Sequence, residues 1–277
     1  MVKSEAQFRL DAFLNSVEKA PNRLLMLDYD GTLAPFRKDR DRAFPFPDVA
    51  AVVQGIVRGT HTRVVIISGR GITDVTSLLG IQPTPEVWGV YGFERRRPNH
   101  TLETAPIEAR YLDALSDAGR WIEYQQLGRL AEIKTGSVAV HWRGQSDSEA
   151  EQIRLRALLG WRPIAETAGL NILEFDGGLE IRAPGCDKGD VVRNLLQEEG
   201  PDVPAAYLGD DATDEPAFRA IRDRGMGILV SPRHRQSAAR LWLQPPEEVF
   251  DFLTQWLEAC RRGDARTDAM AGAGSAS

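Results

Sequence analysis

The stretch Leu24-Leu25-Met26-Leu27-Asp28-Tyr29-Asp30-Gly31-Thr32-Leu33 constrains this chain more than any other. Four consecutive apolar residues run into two carboxylates spaced i, i+2, and then into a Gly-Thr pair. A short continuous apolar run bounded by turn residues fits a strand buried on both faces of a parallel sheet. Ligands of open α/β sheets collect at the carboxyl ends of such strands, where Asp28 and Asp30 stand. Gly31 supplies the backbone freedom for a sharp exit. Taken alone, the Asp-Gly pair is equally an ordinary turn after a strand. The rest of the chain decides between the two.

Apolar spacing over residues 6–19 predicts an amphipathic helix before the first strand. Residues 34–47, rich in Arg, Asp and Pro, read as a loop, and Asp48 caps a helix reaching Arg58. Arg63 to Ile67 form a second buried strand that ends in Ser68-Gly69-Arg70. Asp74 to Leu79 follow as a helix, and Val87 to Gly92 as a strand. Strands alternating with helices imply βαβ units and a parallel, Rossmann-like α/β core.

The pattern changes between about Thr104 and Pro184. A helix over 106–127, strands over 130–134 and 137–143, a helix over 146–159 and strands over 170–175 and 179–183 read as an inserted α+β module. Ser146 with Glu149 three residues on forms a capping box, and Asp176-Gly177-Gly178 forms a turn. The core pattern then resumes, with helices over 188–199, 214–222 and 246–260 and strands over 205–208 and 226–230. The expected partition is a core over 1–104 and 185–262, the inserted module over 105–184, and a small, polar, disordered tail from Gly263 to Ser277.

A formal net charge of −6 argues against nucleic-acid and anionic-membrane binding, which call for a basic surplus. The two cysteines, Cys186 and Cys260, form no metal-type spacing or disulfide framework, so a reducing cytoplasm is expected. The chain is also expected to be a monomer. No apolar stretch approaches a membrane span, and the first eight residues lack the apolar core of a signal peptide.

Three strands end in polar residues of complementary type: Asp28-x-Asp30-Gly31-Thr32, Ser68-Gly69-Arg70 and Gly209-Asp210-Asp211-Ala212-Thr213-Asp214, with Lys188 opening a helix before the last. Carboxylates from two strand ends can share a hard divalent cation such as Mg²⁺. With Lys188, such a cation lets an anionic nucleophile approach an anionic phosphoryl group. Asp28 can then attack phosphorus. Asp30 can protonate the leaving alkoxide and later activate water. Ser68 and the N–H groups after it can hold the non-bridging oxygens.

These four motifs resemble, in order, those of the haloacid dehalogenase-like phosphatases. Leu27 to Pro35, Ile67 to Arg70 and Gly209 to Phe218 resemble more closely the trehalose-6-phosphate phosphatases, over about residues 20 to 255. The resemblance implies Asp28 as nucleophile and Asp30 as general acid/base, also giving its carbonyl to Mg²⁺. It implies Ser68, Gly69 and Lys188 as phosphoryl-binding residues and Asp210 as a metal ligand. Asp214 is implied as a ligand through water or as an anchor behind the ligands, and Asp211 as orienting the metal's waters. The inserted module is similar to the family's cap, hinged near Thr104 and Pro184. Its stretches Glu132 to Arg143 and Gly178 to Arg182 resemble sugar-recognition segments, making Lys134, His141, Arg143, Glu180 and Arg182 candidates for a small sugar phosphate. Tyr91 stands where many relatives carry histidine, and Trp142 where tyrosine is common.

Plainer readings stand beside these. His141 also reads as a surface histidine, and Glu180 and Arg182 as a solvated strand face. Glu132 can simply pair with Lys134. Arg70 suits local pairing or a phosphate or sugar contact, and Cys186 reads as structural. The expected reaction is hydrolysis of trehalose 6-phosphate through an aspartyl-phosphate. The alternatives are a phosphatase for sucrose, mannosylglycerate or glucosylglycerol phosphate, or a non-catalytic sugar-phosphate sensor.

Overall fold

The computed structural model describes residues 5–37, 39–175 and 177–274. Helix α1 (Glu5–Lys19) precedes β1 (Arg23–Leu27), whose five residues are all buried. Then follow α2 (Pro47–Gly59), β2 (Thr62–Ile67), α3 (Ile72–Leu79), β3 (Glu86–Gly89), β4 (Glu94–Arg96) and β5 (Leu102–Thr104). Next come α4 (Ala109–Tyr124), β6 (Ala131–Lys134), β7 (Ser137–His141), α5 (Asp147–Ala168), β8 (Asn171–Phe175) and β9 (Gly178–Arg182). The chain continues through α6 (Lys188–Glu199), β10 (Ala205–Gly209), α7 (Glu215–Ile221), β11 (Gly225–Val230), β12 (Leu241–Leu243) and α8 (Glu247–Gly274).

An eight-stranded sheet runs β12-β11-β10-β1-β2-β3-β4-β5, parallel from β12 to β3 and antiparallel at β4 and β5. The apolar run of β1 splits by strand alternation between its two faces. Leu25 and Leu27 pack with Leu14, Val53, Val75 and Phe252 of α1, α2, α3 and α8. Leu24 and Met26 pack with Val192, Leu195 and Phe218 of α6 and α7. This double cover is why β1 reads as continuous hydrophobicity.

The chain leaves β1 for β2 on one side and returns to β10 on the other, so strand order reverses between β1 and β10. Ligand crevices of open α/β sheets form at such points. A separate antiparallel sheet, β6-β7-β9-β8, is covered by Leu115, Ile122, Ile153 and Trp161 of α4 and α5. Val90 and Phe93, from the segment after β3, join this second core.

Several elements depart from expectation. Strands β4, β5 and β12 are each three residues long, too short to carry a periodic signal. Helix α5 opens on the Ser146–Glu149 capping box but continues past Leu159 and through Pro163 to Ala168. Burial of Trp161 and Ala165 outweighs the lost backbone bond. The turn expected at Asp176-Gly177-Gly178 includes Asp176, which lies outside the described residues, and Gly178 already belongs to β9.

The tail from Gly263, expected to be disordered, is helical as far as Gly274; residues 275–277 lie outside the described residues. Long-range pairs hold it. Asp264 accepts from the buried Arg23 at 2.6 Å, and Arg262 and Arg266 reach Glu18 at 2.8 and 2.6 Å. A Cβ on Gly263 would lie 2.0 Å from the Glu18 carbonyl, so glycine is what lets α8 meet α1. None of the described helices is long and apolar enough to cross a membrane.

Asp264→Ala strands a guanidinium that is 1% exposed, and should cost about 3 kcal/mol in urea denaturation. Arg262→Ala removes a guanidinium that is more than half exposed and leaves Glu18 paired with Arg266, so it should cost under about 1 kcal/mol. Equal effects would mean that α8 is not anchored through Arg23.

Candidate active site

Parallel pairing of β1 with β10 brings two carboxylate-bearing strand ends side by side, and the Asp28 N–H donates to the Leu208 carbonyl at 2.9 Å. The approach is close. A Cβ on Gly31 (φ +81°) would lie 2.2 Å from Asp210 Oδ2, and one on Gly209 would lie 2.4 Å from Asp214 Cγ. Only glycine fits both turns.

Lys188 opens α6 above this junction and is fully buried. Its Nζ donates to Asp28 Oδ1 at 2.7 Å and to Asp214 Oδ1 at 2.6 Å. Asp214 also accepts from the Tyr207 hydroxyl and from the N–H groups of Asp210 and Asp211, at 2.9 and 3.0 Å for the latter two. Both its oxygens are thereby used. Asp28 Oδ2, by contrast, is buried without a hydrogen-bond partner among the described residues. Asp211 turns inward on its own loop, accepting from the Thr213 N–H at 2.7 Å and the Thr213 hydroxyl at 2.6 Å.

Oxygens of Asp28, Asp210 and Asp214 lie within 4.8 Å of one another. Burial pushes Asp28 up to about 8, against the opposing charge of Lys188 and with that of Asp214. Burial and the Asp28 charge push Asp210 well above the usual carboxylate range. Burial opposes the charge on Lys188, but Asp214 and Asp28 outweigh it, so the ammonium persists. One cation faces three carboxylates, and the donors are all oxygen. That suits a hard divalent ion.

Asp30 is held differently. Arg70 Nε and Nη2 donate to its two oxygens at 2.6 and 2.7 Å, and Arg70 Nη1 donates to the Arg40 carbonyl at 2.9 Å. Ser68 is buried, and its hydroxyl accepts from the Arg70 N–H at 3.1 Å.

The cleft at these strand ends is walled by Asp28, Asp30, Gly69, Lys188, Asp210 and Asp211 from the large sheet's side. Lys134, His141 and Arg143 wall it from the small sheet. Ser68, Asp214, Glu180 and Arg182 lie outside its lining. Glu180 accepts from Lys134 at 2.5 Å and from the Ser137 hydroxyl at 2.9 Å, and Lys134 also donates to the Gly69 carbonyl at 3.2 Å. Arg182 lays its guanidinium 4.4 Å from the centre of the Tyr91 ring. The candidate set thus divides into groups that face the cleft and groups that hold them.

Arg40, in a loop with no sequence periodicity, is the residue that sequence reasoning missed. It forks onto Glu132, with Nη2 donating to Oε1 at 2.9 Å, and its Nη1 lies 3.3 Å from His141 Nε2. His141 Nε2 is also 3.0 Å from Glu132 Oε2. Burial alone would raise Glu132, but His141, Lys134 and Arg40 reverse this and hold it far below the usual range. Burial pushes His141 down. Phe36, Tyr91 and Phe175 supply aromatic lining, with Arg143 lying 5.0 Å from the Phe36 ring centre. For Phe36 and Phe175 the only sequence signal is nearness to the motifs; Tyr91 is also marked by its departure from the histidine of the resembled family.

A model of the trehalose-phosphatase family matches residues 26–246. Trehalose-phosphate phosphatase B of Arabidopsis thaliana is 29% identical over 276 residues, covering 91% of this chain and 70% of that protein. The C-terminal domain of trehalose-6-phosphate phosphatase from C. albicans superposes with a TM-score of 0.76 at 18% identity, over 90% of this chain and 96% of that one. A haloacid dehalogenase-like hydrolase from B. subtilis superposes at 0.57 with 15% identity, over 84% and 99%. Family match and fold agree with a strand-end acidic site built around a buried lysine, and the chain belongs to the trehalose-phosphatase family, whose members are phosphomonoester hydrolases.

Proposed function

We propose that this chain hydrolyses trehalose 6-phosphate to trehalose and phosphate through an aspartyl-phosphate on Asp28. The observation that carries this reading is the Asp28 carboxylate itself. Lys188 holds one oxygen, and the other is buried, unpartnered and at the strand end beside Gly69 and Asp210. An Asp28 oxygen bonds to phosphorus as the bond from phosphorus to the sugar oxygen breaks, and Asp30 gives that oxygen its proton. Asp30 then takes a proton from water as the water oxygen attacks phosphorus and the bond to Asp28 breaks. Arg70 donates to both Asp30 oxygens, so Asp30 turns out of that clasp before it donates a proton itself.

Ser68, Gly69 and Lys188 hold the phosphoryl oxygens. Asp28, Asp210 and the Asp30 carbonyl would hold Mg²⁺, which when bound neutralises phosphoryl charge. Asp214, with both oxygens occupied, and Asp211, committed to Thr213, support these ligands from behind. Residues 105–184 form a cap that closes on the sugar about hinges near Thr104 and Pro184, over a core of residues 1–104 and 185–262. Lys134, His141 and Arg143 contact sugar hydroxyls, while Glu180 and Arg182 act through Lys134 and Tyr91. Every group invoked comes from one chain, so a monomer suffices, and two free cysteines suit a reducing cytoplasm.

Phosphate release should be fastest from trehalose 6-phosphate in a panel of sugar phosphates, should stop with a chelator, and should return with Mg²⁺. A faster sucrose or glucosylglycerol phosphate would replace the substrate, and chelator-resistant turnover would remove the metal. Asp28→Asn should lower turnover by about 10⁴-fold or more; turnover at the parent rate would exclude the covalent route.

Arg40→Ala breaks the ion pair between the two sheets' sides. It should enlarge the substrate-free radius of gyration in X-ray scattering and speed amide exchange in β6. If neither changes, Arg40 does not hold the cap.

A further inference from the structure

Tyr91 sits on backbone that an ordinary side chain avoids. Val90 has φ 47° and Tyr91 has φ 57° and ψ 17°, two successive non-glycine residues in the left-handed region, the first of them β-branched. Such conformations persist only where the surroundings over-determine them. Here they do. The Val90 N–H donates to the Arg70 carbonyl at 2.8 Å, and the Tyr91 N–H donates to the Ser68 carbonyl at 2.9 Å. The strained turn is therefore pinned to the Ser68–Arg70 segment at the end of β2.

The pinning delivers the phenol into the cleft. Tyr91 is 9% exposed yet lines the cleft together with Asp28, Gly69 and Lys188. A Cβ on Gly69 would lie 2.6 Å from the Tyr91 hydroxyl, so the hydroxyl lies directly against the Gly69 backbone. Among the described residues this hydroxyl makes no hydrogen bond. Its ring is held by the Arg182 guanidinium at 4.4 Å and by Lys134 Nζ at 5.7 Å. Two of the Arg182 nitrogens, Nε and Nη1, are buried without partners, so its stacking on Tyr91 is what that side chain chiefly does here. Burial keeps the phenol protonated, and hence a donor.

The geometry points to Tyr91 as a substrate-binding residue whose hydroxyl donates a hydrogen bond to a phosphoryl oxygen, with Arg182 as the positioning residue behind its ring. This rests on the phosphatase reading above and extends it. A phosphoryl contact, rather than a sugar contact, follows from the hydroxyl's place against Gly69 and beside Lys188, on the large sheet's side of the cleft. A strained turn tied to the phosphate segment also has a purpose under this assignment: it fixes a donor relative to the oxygens that Ser68 and Gly69 hold.

Tyr91→Phe removes only the donor. Its kcat/KM should fall about ten- to a hundredfold on the preferred sugar phosphate and to the same extent on p-nitrophenyl phosphate. Affinity for inorganic phosphate, measured by calorimetry with Mg²⁺ present, should weaken in parallel, with the melting temperature unchanged. Loss confined to the sugar phosphate, or no loss on either ester, overturns the assignment. Arg182→Met should reproduce part of the loss on both esters without altering the fold; full activity would remove its positioning role.

A crystal structure of the parent with orthovanadate tests the contact independently of any variant. The hydroxyl should lie within about 3 Å of a vanadate oxygen, and a separation beyond hydrogen-bond reach overturns it. If the parent itself released no phosphate from any ester, the phosphatase reading would fail first. The phosphate affinities of parent and Tyr91→Phe would then still decide whether Tyr91 binds the anion.

Discussion

The structure depends on one buried cation. Lys188 is 3% exposed and is held between Asp28 and Asp214. An ammonium taken out of water survives only if its charge is met by partners whose remaining lone pairs are also satisfied. Asp214 meets that condition with four donors: Lys188, the Tyr207 hydroxyl and two backbone N–H groups. Asp28 does not: Lys188 donates to its Oδ1, and its Oδ2 has no partner among the described residues. The asymmetry separates an anchor from an open carboxylate. The saturated one fixes the lysine and the loop after β10, and the other keeps one oxygen unpaired among the described residues. Neither is possible unless β1 and β10 are neighbours; Gly31 lets Asp210 sit against the end of β1, and Gly209 admits the Asp214 side chain folded back on its own loop.

A second chain of contacts joins the small sheet to Asp30. Glu132 on β6 binds the Arg40 side chain, the Arg40 carbonyl binds Arg70, and Arg70 binds both oxygens of Asp30. Each link is a guanidinium with its fork occupied, so movement at one end is felt as a lost hydrogen bond at the other. Lys134 makes a parallel crossing, from Glu180 on the small sheet to the Gly69 carbonyl on the large one. The polar groups that face a ligand are thus already paired with one another across the cleft. Any ligand entering the cleft must replace those pairs, which favours one with donors and acceptors at matching positions.

What could be read from sequence divides along the same lines. The core site was legible because each of its parts lies beside a local signal: the apolar run before Asp28, the one before Ser68, and the helix that Lys188 opens. The capping box at Ser146 was legible for the same reason. Arg40 was not, because its meaning comes from Glu132, which lies 92 residues away. The helix beyond Gly263 was not, because small polar composition says nothing of Arg23 and Glu18, at the other end of the chain. Glu180 and Arg182 do share one strand face, but that face is buried rather than solvated, and period alone cannot tell a side chain that meets a ligand from one that holds its neighbour. Glu180 meets Lys134, and Arg182 meets Tyr91.

That last distinction bears on how such a site divides its labour. Groups that must hold charge in a fixed place, Asp214, Glu180 and Arg182, are the ones withdrawn from the cleft, at 0%, 1% and 8% exposure. Asp30, Lys134 and His141, whose pairings are less enclosed, line it. A buried holder rigidifies the exposed group at little entropic cost, since its own rotamer is already fixed by packing. Substitution at a holder therefore acts through the geometry of another residue. Substitution at an exposed group acts on the bond it would have made. The Tyr91 turn combines both classes in four residues: Val90 and Phe93 are buried in the small sheet's core, while the phenol between them is left to face Gly69.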